Sequence, residues 1–387
     1  MNGKILMCHL ITGLYTGGAE MMLYKFLSRV DRKRFQPVVV SLMDGGKLGD
    51  RIQALDIPVY QIGMHPGKPT VAAVWRLIST IQKIKPDIIQ GWMYHGNLAA
   101  HLSTALSLKK IPIVWNIRQT LYSLSYEKKA TAAVIKLLAP LSIFPEKILY
   151  NSETSASQHQ RHGYRTEKTL VIPNGFDTEL FKPSIEARQL VLQELNLDSN
   201  TILIGRISRF HEMKDHGNFL NAAAILLKSY ANIHFVMAGD NVNWQNKALT
   251  SIINNLGINN SVHLLGERKD IPHLTAALDI ACSSSSHGDA FPNIIGEAMS
   301  CGVTCVVTDV GDSARIIGDT GKVVPPKNSQ LLANALKELI DLGYQGRETL
   351  GQAARIRVID LYSLNSVVHQ YENLYESLLN QKIKARG

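Results

Sequence analysis

The chain has 387 residues, 45% of them hydrophobic and 19% charged, with 28 Gly and 14 Pro; these are proportions of a globular α/β protein and exclude a disordered or fibrous one. At this length two domains are expected. The net charge is +9 and the excess lies in the first half, where residues 1–180 hold 22 Lys/Arg against 12 Asp/Glu while residues 181–387 hold 19 against 20.

The opening residues, MNGKILMCHLIT, run straight into GLYTGGAE with no cleavage-like segment, so they read as a first strand rather than a signal peptide. Seven β-rich runs follow one another through the first half: KILMCHLIT, PVVVSLM, IPVYQIG, DIIQGWM, IPIVWNIR, KILYNS and TLVIPN. Helices are predicted between them from Ala19 to Arg29, Thr70 to Ile84, Asn97 to Leu106 and Glu127 to Leu138. Near-continuous apolar strands separated by helices predict a parallel sheet covered on both faces. The pattern pauses after VIPNGFDTELFKP, where Pro173, Gly175 and Pro183 punctuate the chain, and a domain boundary is expected there. The second half repeats the scheme with TILIGRISR, IHFVMAG, SVHLLG, DIACSS, TCVVTD and GKVVPP. Ser363 to Arg386 reads as a last helix. No apolar run reaches the length of a membrane span. Cys8, Cys282, Cys301 and Cys305 lie in apolar contexts without zinc-type spacing and read as buried free thiols of a reducing cytoplasm.

Several stretches carry candidate chemistry. GLYTGGAE (Gly13 to Glu20) follows a strand and opens a helix, so its backbone can approach a phosphate, although a glycine turn in that place is often only a turn. It lacks the third glycine and strand-end acid of the full dinucleotide fingerprint. Trp92-Met93-Tyr94-His95-Gly96-Asn97 lies between a strand and a helix: His95 is a candidate partner for a sugar or acceptor hydroxyl, and the bland alternative is a capping loop with Asn97 as the cap. Tyr126 to Ile143 joins Lys128, Lys129 and Lys136 to an apolar face; it suits a membrane surface, and a core helix would look much the same. In ISRFHEMKDH, Arg209 and Lys214 stand five apart at a strand end, with Arg206 a competitor on the same strand. A basic pair so placed suits a diphosphate or is merely a surface pair.

The stretch from Asp279 to Asp309, DIACSSSSHGDAFPNIIGEAMSCGVTCVVTD, is the most informative. An apolar strand runs into a polar turn, Ser284 to Gly288, and a helix is predicted to open just after Phe291-Pro292-Asn293, with proline at its first turn. The N–H groups from Asn293 to Gly296 would then point back toward the strand end as an anion site. Asp289 and Glu297 frame it, better suited to accept sugar hydroxyls than to sit unpaired beside an anion. An anion flanked by hydroxyls describes a sugar nucleotide.

The spacing Asp289, seven residues, Glu297 inside GDAFPNIIGEAMSCG resembles the acidic motif of retaining glycosyltransferases of family 4, the GT-B type. That motif usually has Glu at both ends; here the first is Asp, one methylene shorter. ISRFHEMKDH is similar to the same family's basic motif, Gly-Arg, four residues, then Lys-Gly or Lys-Asp, with Ser208 in place of the Gly. The resemblance implies an α/β GT-B fold of two doubly wound, Rossmann-like domains facing a central cleft. Residues 1–180 would bind the acceptor and 181–362 the nucleotide sugar, with 363–387 a C-terminal helix returning to the first domain. It implies transfer of a sugar from a UDP- or GDP-sugar to a glycan acceptor, expected to be lipid-linked, in surface polysaccharide assembly such as lipopolysaccharide or capsule. Retention without an enzyme nucleophile implies front-face displacement. Arg209 and Lys214 would stabilise the diphosphate without a metal or other cofactor. Asp289 would hold the sugar hydroxyls, Glu297 the ribose, and the helix start at Phe291, Pro292 and Asn293 the phosphate, with Gly17 and Gly18 also on the donor side. His95, Asn97 and Arg118 would lie on the acceptor side, with Arg118 where many members carry His. The basic half suits peripheral contact with an anionic membrane on the inner face of the cell membrane; no aromatic-basic alternation points to nucleic acid. The competing readings are a GT-B sugar-nucleotide epimerase and a non-catalytic sugar-nucleotide-binding protein.

Overall fold

The computed structural model describes residues 3–15, 17–65, 70–104 and 110–384. The predicted helix end at Leu106 and the Arg386 end of the last helix lie outside the described residues. The chain forms two compact units, Met1–Gly175 with Leu364–Gly387, and Phe176–Ser363.

The first unit is built on a seven-stranded parallel sheet of β1 (Ile5–Ile11), β2 (Phe35–Ser41), β3 (Val59–Gln61), β4 (Ile88–Trp92), β5 (Ile113–Ile117), β6 (Lys147–Tyr150) and β7 (Thr169–Val171). Its order is β3-β2-β1-β4-β5-β6-β7, with Met7 opposite Ile88 where the winding reverses. Every residue of β4 and β5 is buried, which is why these strands read as unbroken apolar runs. The C-terminal helix Leu364–Lys384 belongs to this unit. Its Tyr371 and Tyr375 rings lie 5.3 and 6.2 Å from Phe26 of helix Gly18–Arg29, and Tyr375 lies 6.3 Å from Phe35. Such ring pairs contribute about 1 kcal/mol each beyond the area they bury.

The second unit carries a six-stranded parallel sheet of β8 (Ile202–Ile207), β9 (Ile233–Ala238), β10 (Val262–Leu264), β11 (Ile280–Ser283), β12 (Thr304–Thr308) and β13 (Gly321–Val324), ordered β10-β9-β8-β11-β12-β13. Winding reverses between β8 and β11, where Gly205 sits opposite Ala281. Ligands of doubly wound sheets gather outside the strand ends at such a point.

All thirteen predicted strand runs are strands. The chain leaves the first unit at Gly175, ahead of the expected boundary near residue 180, because Phe176 and Phe181 are buried in the second unit's core. The helix expected from Asn97 starts at Met93, directly at the end of β4, and the one expected over Glu127 to Leu138 spans Lys129–Leu141. Among the described residues no helix is long and apolar enough to cross a membrane.

Candidate active site

In the second unit the candidate residues assemble at the carboxyl ends of β8 and β11. Gly239 (φ +145°) leaves no room for a side chain: a Cβ there would lie 2.2 Å from the Ser208 carbonyl oxygen and 2.8 Å from the Arg209 nitrogen. Arg209 emerges from this point exposed. The chain then makes a 3₁₀ turn, Glu212–Lys214, and Asp215, in the left-handed region at φ 48°, caps helix His216–Leu226 by accepting from the Asn218 N–H at 3.1 Å. The polar turn after β11 ties itself to this loop. Ser284 Oγ donates to the Asp215 carbonyl at 3.1 Å, and the Ser286 N–H donates to the Met213 carbonyl at 2.8 Å.

These ties bring Lys214 onto Asp289. Its Nζ lies 2.6 and 2.8 Å from the two carboxylate oxygens, and Ser285 Oγ donates to Oδ2 at 2.6 Å. The lysine and aspartate side chains are only 18% and 11% exposed, so their attraction is screened less than that of a surface pair. Gly311 (φ +61°) closes against the Asp289 backbone; a Cβ there would stand 2.0 Å from the Asp289 carbonyl oxygen. On β8 itself, Arg206 is buried. Burial, with help from the Arg206 and Lys214 charges, pushes His216 down to about 3, so its imidazole is neutral at pH 7.

Helix Asn293–Ser300 follows. Pro292 is its N-cap, at φ −68° and ψ 119°, and not its first helical residue, because the backbone turns helical only after it. The Ile295 N–H donates to the Pro292 carbonyl at 3.3 Å, which removes it from the set of donors expected to face an anion. The Phe291 ring is a correction as well. It is buried, stacked on Phe176 at 6.1 Å and edge-on to Tyr362 at 5.5 Å, so the side chain anchors the helix start to the core and only backbone is left for a ligand. Glu297 is half-buried on the same helix.

In the first unit, Gly17 is the N-cap of helix Gly18–Arg29 in extended backbone. The Glu20 carboxylate folds back over it, to within 2.3 Å of where a Gly17 Cβ would be, so this helix start already holds an anion from its own chain. Burial raises the Glu20 pKa, opposed by a backbone hydrogen bond. Gly18 opens on free space. His95 is half-buried in the first turn of helix Met93–Thr104, where burial holds its pKa below the usual histidine value. That helix begins on Met93 in the left-handed region at φ 61°, a conformation costly for a non-glycine residue.

Asn97 and Arg118 are turned inward. Asn97 is not a cap but the fifth residue of its helix; it is fully buried and its Oδ1 accepts from the Asn116 N–H at 3.3 Å, which removes it from an acceptor surface. Arg118 directs Nη1 to the Tyr371 hydroxyl at 2.7 Å and to Asn116 Oδ1 at 3.2 Å, and Nη2 to Asn174. As held, it fastens the C-terminal helix to β5 and presents neither Nη group to an acceptor.

With this arrangement in view, the chain can be set beside known proteins. Residues 16–180 match the model for Glycosyltransferase Family 4, and residues 200–341 the model for Glycosyl transferases group 1. The chain belongs to the family 4 glycosyltransferases of the GT-B fold. The UDP-Gal:alpha-D-GlcNAc-diphosphoundecaprenol alpha-1,3-galactosyltransferase of Escherichia coli is 22% identical over 87% of this chain and 86% of its own. The N-acetyl-alpha-D-glucosaminyl L-malate synthase of Bacillus anthracis is 27% identical over 47% of each chain. Anabaena HepE, crystallised in complex with UDP, superposes with a TM-score of 0.83 at 25% identity, covering 97% of this chain and 100% of that one.

Sequence reasoning missed two residues that hold the Lys214–Asp289 pair of this glycosyltransferase in place. Ser285 was visible only as one of four consecutive serines, and nothing in that run singles it out as the donor to Asp289. Asp215 was read as part of the basic motif, whereas its left-handed turn and capping bond are what aim Lys214.

Proposed function

We propose that the protein transfers a sugar from a UDP-sugar, with retention, to a lipid-linked glycan in bacterial surface polysaccharide assembly. The observation that carries this reading is the Lys214–Asp289 pair, a cation and a sugar-hydroxyl acceptor held together in front of helix Asn293–Ser300. UDP is favoured over GDP because HepE was crystallised with UDP and the Escherichia coli relative is named for UDP-Gal. That relative's diphosphoundecaprenol acceptor supports the lipid-linked class.

In this reading Lys214 leaves Asp289 for the donor diphosphate, and exposed Arg209 joins it. The freed Asp289 then accepts the hydroxyls of the transferred sugar, and Glu297 those of the ribose. As the bond from the anomeric carbon to the diphosphate breaks, the acceptor oxygen forms the new bond on the same face and its proton passes to the leaving phosphate. Charge on the leaving group is met by side chains, so no metal is needed. Gly17 and Gly18 approach the donor once Glu20 swings aside, and neutral His95 serves the acceptor hydroxyl. Contact with an anionic membrane is assigned to the basic first unit.

Incubation with UDP- and GDP-sugars tests the donor. A ligand at about 100 times its dissociation constant adds roughly 2.7 kcal/mol of stability, easily read in a thermal melt. Turnover with a polyprenyl-diphosphate glycan, retained anomeric configuration in the product and unchanged rate in EDTA are expected. Stabilisation by GDP-sugars alone overturns the UDP assignment, and an inverted product overturns the retaining one.

A further inference from the structure

One charged residue of the second unit has no part in the reaction above. Arg206 lies on β8, is 1% exposed, and its Nε and Nη2 have no hydrogen-bond partner among the described residues. Burial pulls its pKa below the ordinary arginine value, while Cys282, Asp289 and Asp215 pull it back up. The Cys282 thiol is itself pushed up to about 12 by burial and is uncharged at neutral pH. That leaves the two aspartates as the counter-charges. Arginine keeps its proton in such surroundings, and a buried charge without compensation costs several kcal/mol. Arg206 follows Gly205, which lies opposite Ala281 on β11, and the turn after β11 carries Asp289, so the charge is buried at the strand ends from which Lys214 and Asp289 emerge.

Asp289 is thus served by two cations of different kinds. Lys214 touches it directly, sits on a 3₁₀ turn and is partly exposed. Arg206 acts without contact from a strand paired on both sides, to β9 and β11, and cannot follow a ligand. Resting on the reading that Lys214 turns to the donor diphosphate, we propose that Arg206 is the fixed counter-charge that keeps the Asp289 carboxylate in place once Lys214 has left it. It is a positioning residue and touches no substrate. Without it, Asp289 and the diphosphate are two anions in one partly buried site, and their repulsion turns the carboxylate away from the sugar.

The test uses the full chain, with UDP binding followed by calorimetry and turnover measured with the sugar nucleotide that the melts select. Arg206→Met removes the charge at similar size, and Arg206→Lys keeps it. Arg206→Met is expected to bind UDP within threefold of the unchanged protein while kcat falls tenfold or more, and Arg206→Lys to recover most of the loss. Adding Arg206→Met to Asp289→Asn is expected to cost no more than about twofold further, because the group it positions is already gone. An unchanged kcat in Arg206→Met, an equal loss in the Asp289→Asn background, or a Lys variant as slow as the Met variant overturns the proposal. If Arg206→Met melts below the assay temperature, the coupling is read from the charge-removing Arg206→Gln with and without Asp289→Asn, and equal losses in the two backgrounds overturn it. Lys214→Ala separates this from the parent reading: if it leaves UDP binding and turnover intact, the diphosphate assignment fails, whereas a damaging Lys214→Ala beside an inert Arg206→Met removes Arg206 alone.

Discussion

Both units end their central strands in polar residues, yet they put them to different uses. At the ends of β8 and β11, Lys214 and Asp289 are paired with each other and partly reached by solvent, with serine and backbone ties around them. At the end of β5, Arg118 commits Nη1 to Tyr371 and Asn116 and Nη2 to Asn174, so its charge secures the C-terminal helix. One sheet's strand-end charges are paired with each other, and the other's charge is fixed to its own architecture. A polar residue at a strand end is therefore a site candidate only until its partners are known.

The sharpest way to break this comparison is to remove one charge from each side. Lys214→Ala should lower kcat a hundredfold or more, about 2.7 kcal/mol of transition-state stabilisation, while the melting temperature stays within a few degrees. Steady-state kinetics and a melt of the same sample check it; a folded variant with normal kcat removes Lys214 from the chemistry.

Asp289→Asn should depress transfer far more than it weakens binding of free UDP. Glu297→Gln should weaken both, since the ribose is common to donor and product. Calorimetry with UDP beside turnover measurements separates the two, and equal effects on UDP binding would mean their roles are misassigned.

On the other side of the comparison, Arg118→Met should cost about 2 kcal/mol of stability, the scale of losing charge-assisted hydrogen bonds to buried neutral partners. Tyr371→Phe should cost about half of that. Denaturant unfolding checks both. An Arg118→Met protein of unchanged stability but impaired acceptor KM would return Arg118 to the acceptor side.

This contrast also marks how far the sequence could be read. The thirteen strands were legible because parallel strands buried on both faces are written as β-branched runs, Val38-Val39-Val40 and Ile88-Ile89 among them. The basic and acidic residues of the second unit were legible from spacing along one strand end and one helix. Their pairing was not, because Lys214 and Asp289 are 75 residues apart and meet only through the Ser284 and Ser286 ties. The contacts of Arg118 were hidden for the same reason, since its partner Tyr371 lies 253 residues on. The start of the His95 helix was missed because Met93 takes a left-handed conformation that no residue type there announces.

Acid should sharpen the difference between the units. Burial lowers His9 to about 3 and His101 and His159 to about 4 in the first unit, and His216 to about 3 and His263 to about 4 in the second. A histidine depressed in the fold is protonated more readily when unfolded, so its contribution is fully present above about pH 6.5 and is lost as pH falls toward 4. Hydrogen exchange at pH 5 against pH 7.5 should show both units loosening and the first, with more such histidines, loosening further. Equal protection at the two values, or earlier loss in the second unit, contradicts the assignment.

The smallest expected effect concerns the surface charge that separates the two units. The first unit holds 25 Lys/Arg against 12 Asp/Glu and the second 16 against 20. Within the first, helix Lys129–Leu141 buries only Ile135 and Leu138; Lys128, Lys129 and Lys136 are exposed, and so are Tyr126, Leu137, Ile143 and, at 66%, Phe144. Such large apolar side chains among lysines suit a shallow contact with anionic lipid, where each basic residue contributes about 1 kcal/mol and salt screens the attraction. Co-sedimentation with phosphatidylglycerol liposomes should therefore be weak but measurable at low ionic strength and should fall steeply with added salt. Lys128→Glu with Lys129→Glu should reduce it by an order of magnitude or more, since each reversal replaces an attraction with a repulsion. Phe144→Ser should reduce it while leaving the salt dependence unchanged, because that residue contributes burial and not charge. Binding that ignores the charge reversals but follows Phe144 would make the contact apolar, and binding indifferent to all three would move the membrane face off this helix and leave the first unit's charge to the acceptor.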